Sequence, residues 1–208
     1  DNMFASRRIS TPHTGKREIA MGRVRTAAGI LARNGASGVD MTQVLGGHGA
    51  GTFHLYSYFT SMEHSMQVSA NMMGDPAWAS LNSERELNPS ADVVGPELAR
   101  CVAGEPNPDN LAAMVREYIM PRENLAEAIS MVSGVQDMLS DHHMNVSLWS
   151  PVIAEDMKRL VVVYSAPDMP ALGKGVDEVG LSKEFQEMLV KASSLGTLDR
   201  AWGMVNFR

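Results

Sequence analysis

The stretch from residue 40 to residue 63 constrains this chain most, because glycines and helix-capping signals cut it into short pieces. Asp40 suits a helix N-cap with Gln43 three residues on, a variant of the capping box. Val39 and Val44 fall at the two positions of a hydrophobic staple. The spacing predicts a helix over 40–48 that stops at Gly49, and a second over 52–59 with Leu55, Tyr56 and Phe59 on one side. Thr60-Ser61-Met62-Glu63 is another capping box, opening a helix to Met73 that Gly74-Asp75-Pro76 interrupts. Upstream, Ala20, Val24, Ala27, Ala28 and Leu31 recur at three- and four-residue steps, an amphipathic helix from Lys16 to Arg33 ended by Asn34-Gly35. Two short helices about a glycine turn, with a third before them, are the parts of a helix-turn-helix.

The rest of the chain reads as further helix, over 92–103, 109–120, 122–139, 151–165 and 181–205. The clearest stripe is Leu125, Ile129, Val132, Val135 and Leu139. Val161-Val162-Val163-Tyr164 alone suits a strand, but it continues the stripe of Val152, Ile153, Met157 and Leu160 and is assigned to helix. The expectation is an all-α protein: a flexible arm over 1–15, a helix-turn-helix DNA-binding domain over 16–62, and a larger helical body over 63–208.

Apolar residues make up 44% of the 208 and charged residues 20%, the balance of a globular chain rather than a disordered one. No run of apolar residues is long enough for a spanning helix, and the first residues lack the apolar core of a secretory signal. The single Cys101 leaves no internal disulfide and no Cys/His zinc site, and it reads as a small buried hydrophobe. A cytoplasmic protein is expected. Charge is uneven. Residues 1–60 hold seven Lys/Arg against three acids, a net +4, and residues 61–208 hold 11 against 21, a net −10. A basic head on an acidic body points to a polyanion at the head.

Residues 16–63 resemble the tetracycline-repressor (TetR) family of one-component regulators. Val24, Ala27, Ile30, Leu31 and Gly35 match the apolar positions and terminal glycine of that family's first helix. GAGTFHLYSYFTSME, from Gly49 to Glu63, follows its recognition-helix pattern at Gly49, Ala50, Leu55, Tyr56, Tyr58, Phe59, Ser61 and Glu63. Leu45, Phe53 and Met62 depart from it, Met62 standing where the family carries a phosphate-binding lysine. The resemblance implies a homodimeric repressor. Thr42, Thr52, Phe53, His54 and Ser57 would face the groove of a near-palindromic DNA operator, and Tyr56 and Tyr58 would meet phosphates. Arg7, Arg8, Lys16 and Arg17 would grip DNA as an arm. It also implies that helices over 151–165 and 181–205 pair with their copies in a four-helix dimer interface, and that a small-molecule effector releases the DNA.

Methionine is abundant, at 16 residues. Met114, Met131, Met138, Met144 and Met157 lie with Tyr118, Trp149 and Tyr164 in the body, residue types that suit an adaptable cavity for a largely apolar effector as well as plain core packing. Met114, Tyr118, Met131, Met138, Trp149, Met157 and Tyr164 are the ligand-site candidates. Asp141-His142-His143 does not read as a metal site, because neighbours on a helix point about 100° apart. No GxSxG, HExxH or GxxxxGK[ST] motif is present, so no enzyme, metal or cofactor is expected. The runner-up is an all-α small-molecule-binding protein or enzyme whose head has lost DNA affinity.

Overall fold

The structure is a computed structural model that describes residues 3–208. Among the described residues eight strands and six α-helices are interspersed along the sequence, so the all-α expectation is wrong. In hydrogen-bonded order the strands read β1-β3-β2-β8-β5-β7-β6-β4, the cycle of a closed antiparallel barrel. Two compact units divide the chain. One takes residues up to Val44, Gly51–Arg100 and Asn206–Arg208; the other takes Leu45–Ala50 and Cys101–Val205.

The first unit runs β1 (Phe4–Pro12), α1 (Arg17–Arg33), β2 (Gly38–Gly47), β3 (Phe53–Phe59), α2 (Met62–Met73), α3 (Pro76–Leu87) and β4 (Ala91–Gly104). β1 is central, with β4 on one side and β3 then β2 on the other. The second repeats the plan: β5 (Ala112–Ile119), α4 (Leu125–Leu139), β6 (Asn145–Ile153), β7 (Arg159–Ala166), α5 (Met169–Gly175), α6 (Lys183–Ser193) and β8 (Thr197–Asn206). β5 is central there, between β8 and β7, with β6 beyond β7. Each unit is a βαββαβ arrangement of ferredoxin-like type, a repeat that the sequence does not display.

The segment assigned to a recognition helix is β3. Its odd positions Phe53, Leu55, Ser57 and Phe59 are all buried, the period of two that a strand imposes. Phe59, Ser57, Leu55 and Phe53 pair in register with Phe4, Ser6, Arg8 and Ser10 of β1. The hydroxyls of Ser6 and Ser57 hydrogen-bond across that pair. Thr42, expected at a groove, is 2% exposed on β2 opposite His54. Thr52 and His54 are buried too, and His54 Nδ1 shares a 2.9 Å hydrogen bond with the Tyr56 hydroxyl. Tyr58 donates to Asp40 Oδ2 at 2.7 Å, and burial together with that carboxylate pushes its phenol well above the ordinary range. These side chains belong to the folded interior and cannot lie on DNA.

The basic head is likewise engaged within the molecule. Arg7 and Arg8 sit in β1, not in an arm, whose first two residues lie outside the described ones. Lys16 Nζ donates to Asn88 Oδ1 at 2.9 Å. Arg17 donates to Gln43 Oε1 at 2.8 Å and lies 4.5 Å over the Phe53 ring. Arg25 holds the Arg208 carbonyl, and Arg33 pairs with Asp75 at 2.5 Å. The four-helix dimer interface also fails: 151–165 covers the end of β6 and most of β7, and 181–205 covers α6 and most of β8.

Several helix signals do hold. α1 buries Ala20, Val24, Ala27, Ala28, Ile30 and Leu31. Ser61, not Thr60, caps α2, accepting from the His64 N–H at 3.0 Å. Asp75 caps α3 with Pro76 at its first position, where a missing N–H costs nothing. Among the described residues no helix is long and apolar enough to cross a membrane.

Candidate functional site

In the second unit the sheet face carrying Tyr118 on β5, Leu160, Val162 and Tyr164 on β7, and Val146 and Leu148 on β6 is roofed by α4 and α6. The side chains do not close the space between them. α4 contributes Ala128, Met131, Val132 and Val135 to its roof, and α6 contributes Met188, Leu189 and Ala192. The free volume is about 60 Å³, counted for the centre of a water-sized sphere. One water needs roughly 10–15 Å³ on that measure, so the space holds about four to six.

Local chemistry holds the roof in place. The Gln136 side chain, on α4, donates to the Met144 carbonyl at 3.0 Å and accepts from the Val146 N–H at 3.0 Å, fixing the helix to the start of β6. Asn124 donates to the Leu195 carbonyl at 2.8 Å, tying the start of α4 to the turn after α6. Asn110 bridges Asn145 and Ser165, joining β6 to β7. Ser182 caps α6, whose Phe185 packs edge-on against Tyr164 at 5.9 Å.

The lining is apolar except for two phenols. Neither the Tyr118 nor the Tyr164 hydroxyl has a hydrogen-bond partner among the described residues, although both side chains are buried. Burial pushes both pKa values up; for Tyr164 the Tyr118 phenol adds to the rise, and Arg116 on β5 opposes it for both. Both groups therefore stay protonated at neutral pH and can act as donors toward a ligand oxygen. The lining holds no His, Cys, Asp or Glu side chain, so it supplies no carboxylate or imidazole base.

Of the seven ligand-site candidates from sequence, Tyr118, Met131 and Tyr164 line this cavity. Met114 and Met138 pack against the surrounding core instead. Trp149 is buried and donates to Ser147 Oγ at 2.9 Å, and Met157 is 51% exposed. Met144 is core, packed against Gly175. His142 lies 3.1 Å from Glu178 Oε2 without hydrogen-bonding geometry, and His143 adopts a left-handed turn at φ 55°. Sequence reasoning misses Met120, Met188 and, on β7, Leu160 and Val162, because 151–165 and 181–205 read there as dimer helices. The alternation of Leu160, Val162 and Tyr164 is the available signal.

No protein-family model matches the chain. No curated protein matches it. Solved structures do. A proposed monooxygenase of Fusobacterium nucleatum subsp. nucleatum superposes with a TM-score of 0.63 at 9% identity, over 99% of this chain and 93% of that one. An anthrone oxidase-like protein gives 0.66 at 9% identity, over 100% and 92%. A chlorite dismutase variant of Candidatus Nitrospira defluvii gives 0.53 at 11%, over 99% and 91%. These likenesses overturn the TetR resemblance and the DNA operator, and they set enzyme-named proteins beside a chain expected to be no enzyme. At such identities the likeness is one of fold.

Proposed function

We propose that the second unit binds a small, mostly apolar molecule bearing an oxygen acceptor in the cavity between its sheet and helices. The observation that carries this reading is the pair of tyrosine hydroxyls, on Tyr118 and Tyr164, in an otherwise apolar lining, with no hydrogen-bond partner among the described residues. Each hydroxyl is left free to donate, and a ligand oxygen in the cavity would accept from it. The cavity is smaller than the ~150 Å³ engineered cavity that admits benzene, so a ring enters only if flexible side chains give way. Met131 and Met188, both partly buried, are suited to that movement.

The chemistry we assign to the site is oxidation of the bound molecule by dioxygen. The names of the structural neighbours support it, and so does the lining. A carbonyl or phenol oxygen held by two protonated tyrosines acquires negative charge more readily, which activates the adjacent carbon. Overall, a methylene group of the ligand and dioxygen give a carbonyl group and water. Two C–H bonds break, one oxygen atom becomes the carbonyl oxygen, and the other leaves as water with both hydrogens. The chain's own part is to exclude water, to fix the ligand oxygen and to stabilise charge on it. Of the runner-up, the small-molecule-binding protein or enzyme is kept; its all-α frame is not. A cytoplasmic setting accords with the single cysteine.

The test is calorimetric titration of phenol, cyclohexanone and benzene, with oxygen uptake followed by electrode. Phenol and cyclohexanone are expected to bind more tightly than benzene, and Tyr164→Phe to remove that preference while benzene binding persists. Ala128→Leu, which fills the space, should abolish all three. Binding without oxygen uptake across a panel of small ketones and phenols rejects the oxidation; no binding by any probe rejects the site.

A further inference from the structure

The first unit repeats the plan of the second, yet the matching place, between its central strand and its last helix, holds the opposite chemistry. Arg8 lies on β1 opposite Leu55, on the sheet face that packs under the helices. Its neighbours on that face, Ser6 and Ser10, are buried. Arg8 also sits at a bulge, where the β1–β4 register shifts between Arg7 and Ile9. An arginine in a buried face normally has a carboxylate to meet it. None does so here.

The Arg8 guanidinium reaches Trp78 on α3, its Cζ 5.6 Å from the ring centroid. Arg85, two turns along the same helix, places its own Cζ 5.6 Å from the same ring. Arg23 on α1 closes the group, donating to the carbonyls of Asn88 (2.6 Å) and Glu84 (3.3 Å) and to Ser90 Oγ (3.0 Å). Lys16 adds a fourth cation on Asn88. Every acceptor these cations use is a neutral oxygen or an aromatic face; Glu84 offers only its backbone. Among the described residues none of the four makes an ion pair. Arg8 Nη1 is sealed from solvent with no acceptor among the described residues. The Arg8 guanidinium is held down to about 10 by burial and by the charge of Arg85, and Arg85 is lowered by burial and by Arg23. The cations repel one another, and nothing among the described residues neutralises them. Arg8, Arg23 and Arg85 are each only half-buried as residues, so the cluster is open to a small ion.

We propose that the cluster of Arg8, Arg23 and Arg85 around Trp78 is an oxyanion-binding site, which takes a phosphate or carboxylate group. The guanidinium fork matches two oxygens of such a group, and the charge-assisted bonds formed would be the strong kind. The site stands apart from the cavity reading and does not depend on it.

Trp78 is the built-in reporter. The test follows tryptophan fluorescence and thermal unfolding of the full chain while inorganic phosphate or acetate replaces chloride at constant ionic strength. A saturable fluorescence change with a rise in Tm is expected, and Trp78→Phe should lose the fluorescence change but keep the Tm response. Arg8→Met should weaken the response about 10- to 100-fold, the worth of one charged hydrogen bond. In chloride alone it should melt no lower than the wild type, because it removes an unpaired buried cation. If that variant does not fold, Arg85→Met on the half-exposed helix face carries the same expectation. A response to phosphate alone, to acetate alone or to both supports the site and identifies the group it prefers. Phosphate and acetate behaving as chloride does, or a response undiminished in the arginine variants, overturns it.

Discussion

Phe53→Ala separates a strand buried in a sheet from a helix presented to DNA. Phe53 is fully buried, its ring 5.4 Å from that of Phe207 and covered by the Arg17 guanidinium at 4.5 Å. Burying a phenylalanine is worth about 1.5–3 kcal/mol. Removing the ring leaves a void of roughly 80 Å³, and at ~24 cal/mol per Å³ that adds about 2 kcal/mol. The expected loss is therefore about 3–5 kcal/mol, in line with phenylalanine truncations in other cores. For a chain of this size that lowers Tm by roughly 6–20 °C. Equilibrium denaturation in guanidinium, read by circular dichroism, measures it. Met73→Ala, at a side chain 86% exposed, is the control and should stay within about 0.5 kcal/mol. A loss below about 1 kcal/mol for Phe53→Ala would refute the burial argument and restore an exposed position.

Other expectations follow from the same structure. Asp75 is held down to about 2 by hydrogen bonds from Asn34, Arg33 and the Ala77 N–H. Its folded pKa lies below its unfolded value, so its stabilisation is present above pH ~4 and is lost as pH falls toward 2; Asp75→Asn should flatten the acid limb of a stability–pH curve. Burial raises the Tyr118 and Tyr164 phenols above 10, so their protonated forms favour the fold below pH ~10 and stability falls at higher pH; ultraviolet titration should show both ionising later than a free phenol. Glu117 is 3% exposed at its side chain, with Arg159 Nη1 at 2.8 Å and Arg200 Nη1 at 3.9 Å, so Arg159→Met should cost about 1.5–3 kcal/mol in thermal unfolding, much of it recovered by adding Glu117→Met. Gly104 has φ +77°, and a Cβ there would lie 2.1 Å from the Val146 carbonyl oxygen; Gly104→Ala should lower stability by more than about 1 kcal/mol in thermal unfolding.

Much of the helical content was legible in the sequence, and the strands were not. α1, α2 and α4 carry period-3.6 stripes and capping residues, and they lie within a few residues of where those signals put them. Short strands give weaker signals. β3 alternates Phe53, Leu55, Ser57 and Phe59, but Ser57 at a buried position hides the pattern, and the flanking glycines suggest a helical turn. Those glycines have another use: Gly47 and Gly51 adopt φ +85° and +90°, positions that open and close a hairpin loop. In β7 the run Leu160 to Tyr164 is apolar throughout, with Leu160 and Tyr164 buried and the valines between them half-buried, and such a run is indistinguishable from a buried helix by period alone. Asp75-Pro76 reads as an interruption in the sequence and is in fact the cap and first residue of α3. The Met and Tyr content points to the cavity unit, but the β7 and α6 walls depend on tertiary pairing that no local pattern states.

A small molecule bound by the second unit must enter the space beneath α4 and α6. The most direct measurement is NMR of the protein labelled with 13C at the methionine methyls, titrated with phenol. Met120, Met131 and Met188 should shift together and saturate, while exposed Met73 and Met157 stay where they are. No saturable shift in the first three, or movement of Met73 and Met157 by as much, would contradict it.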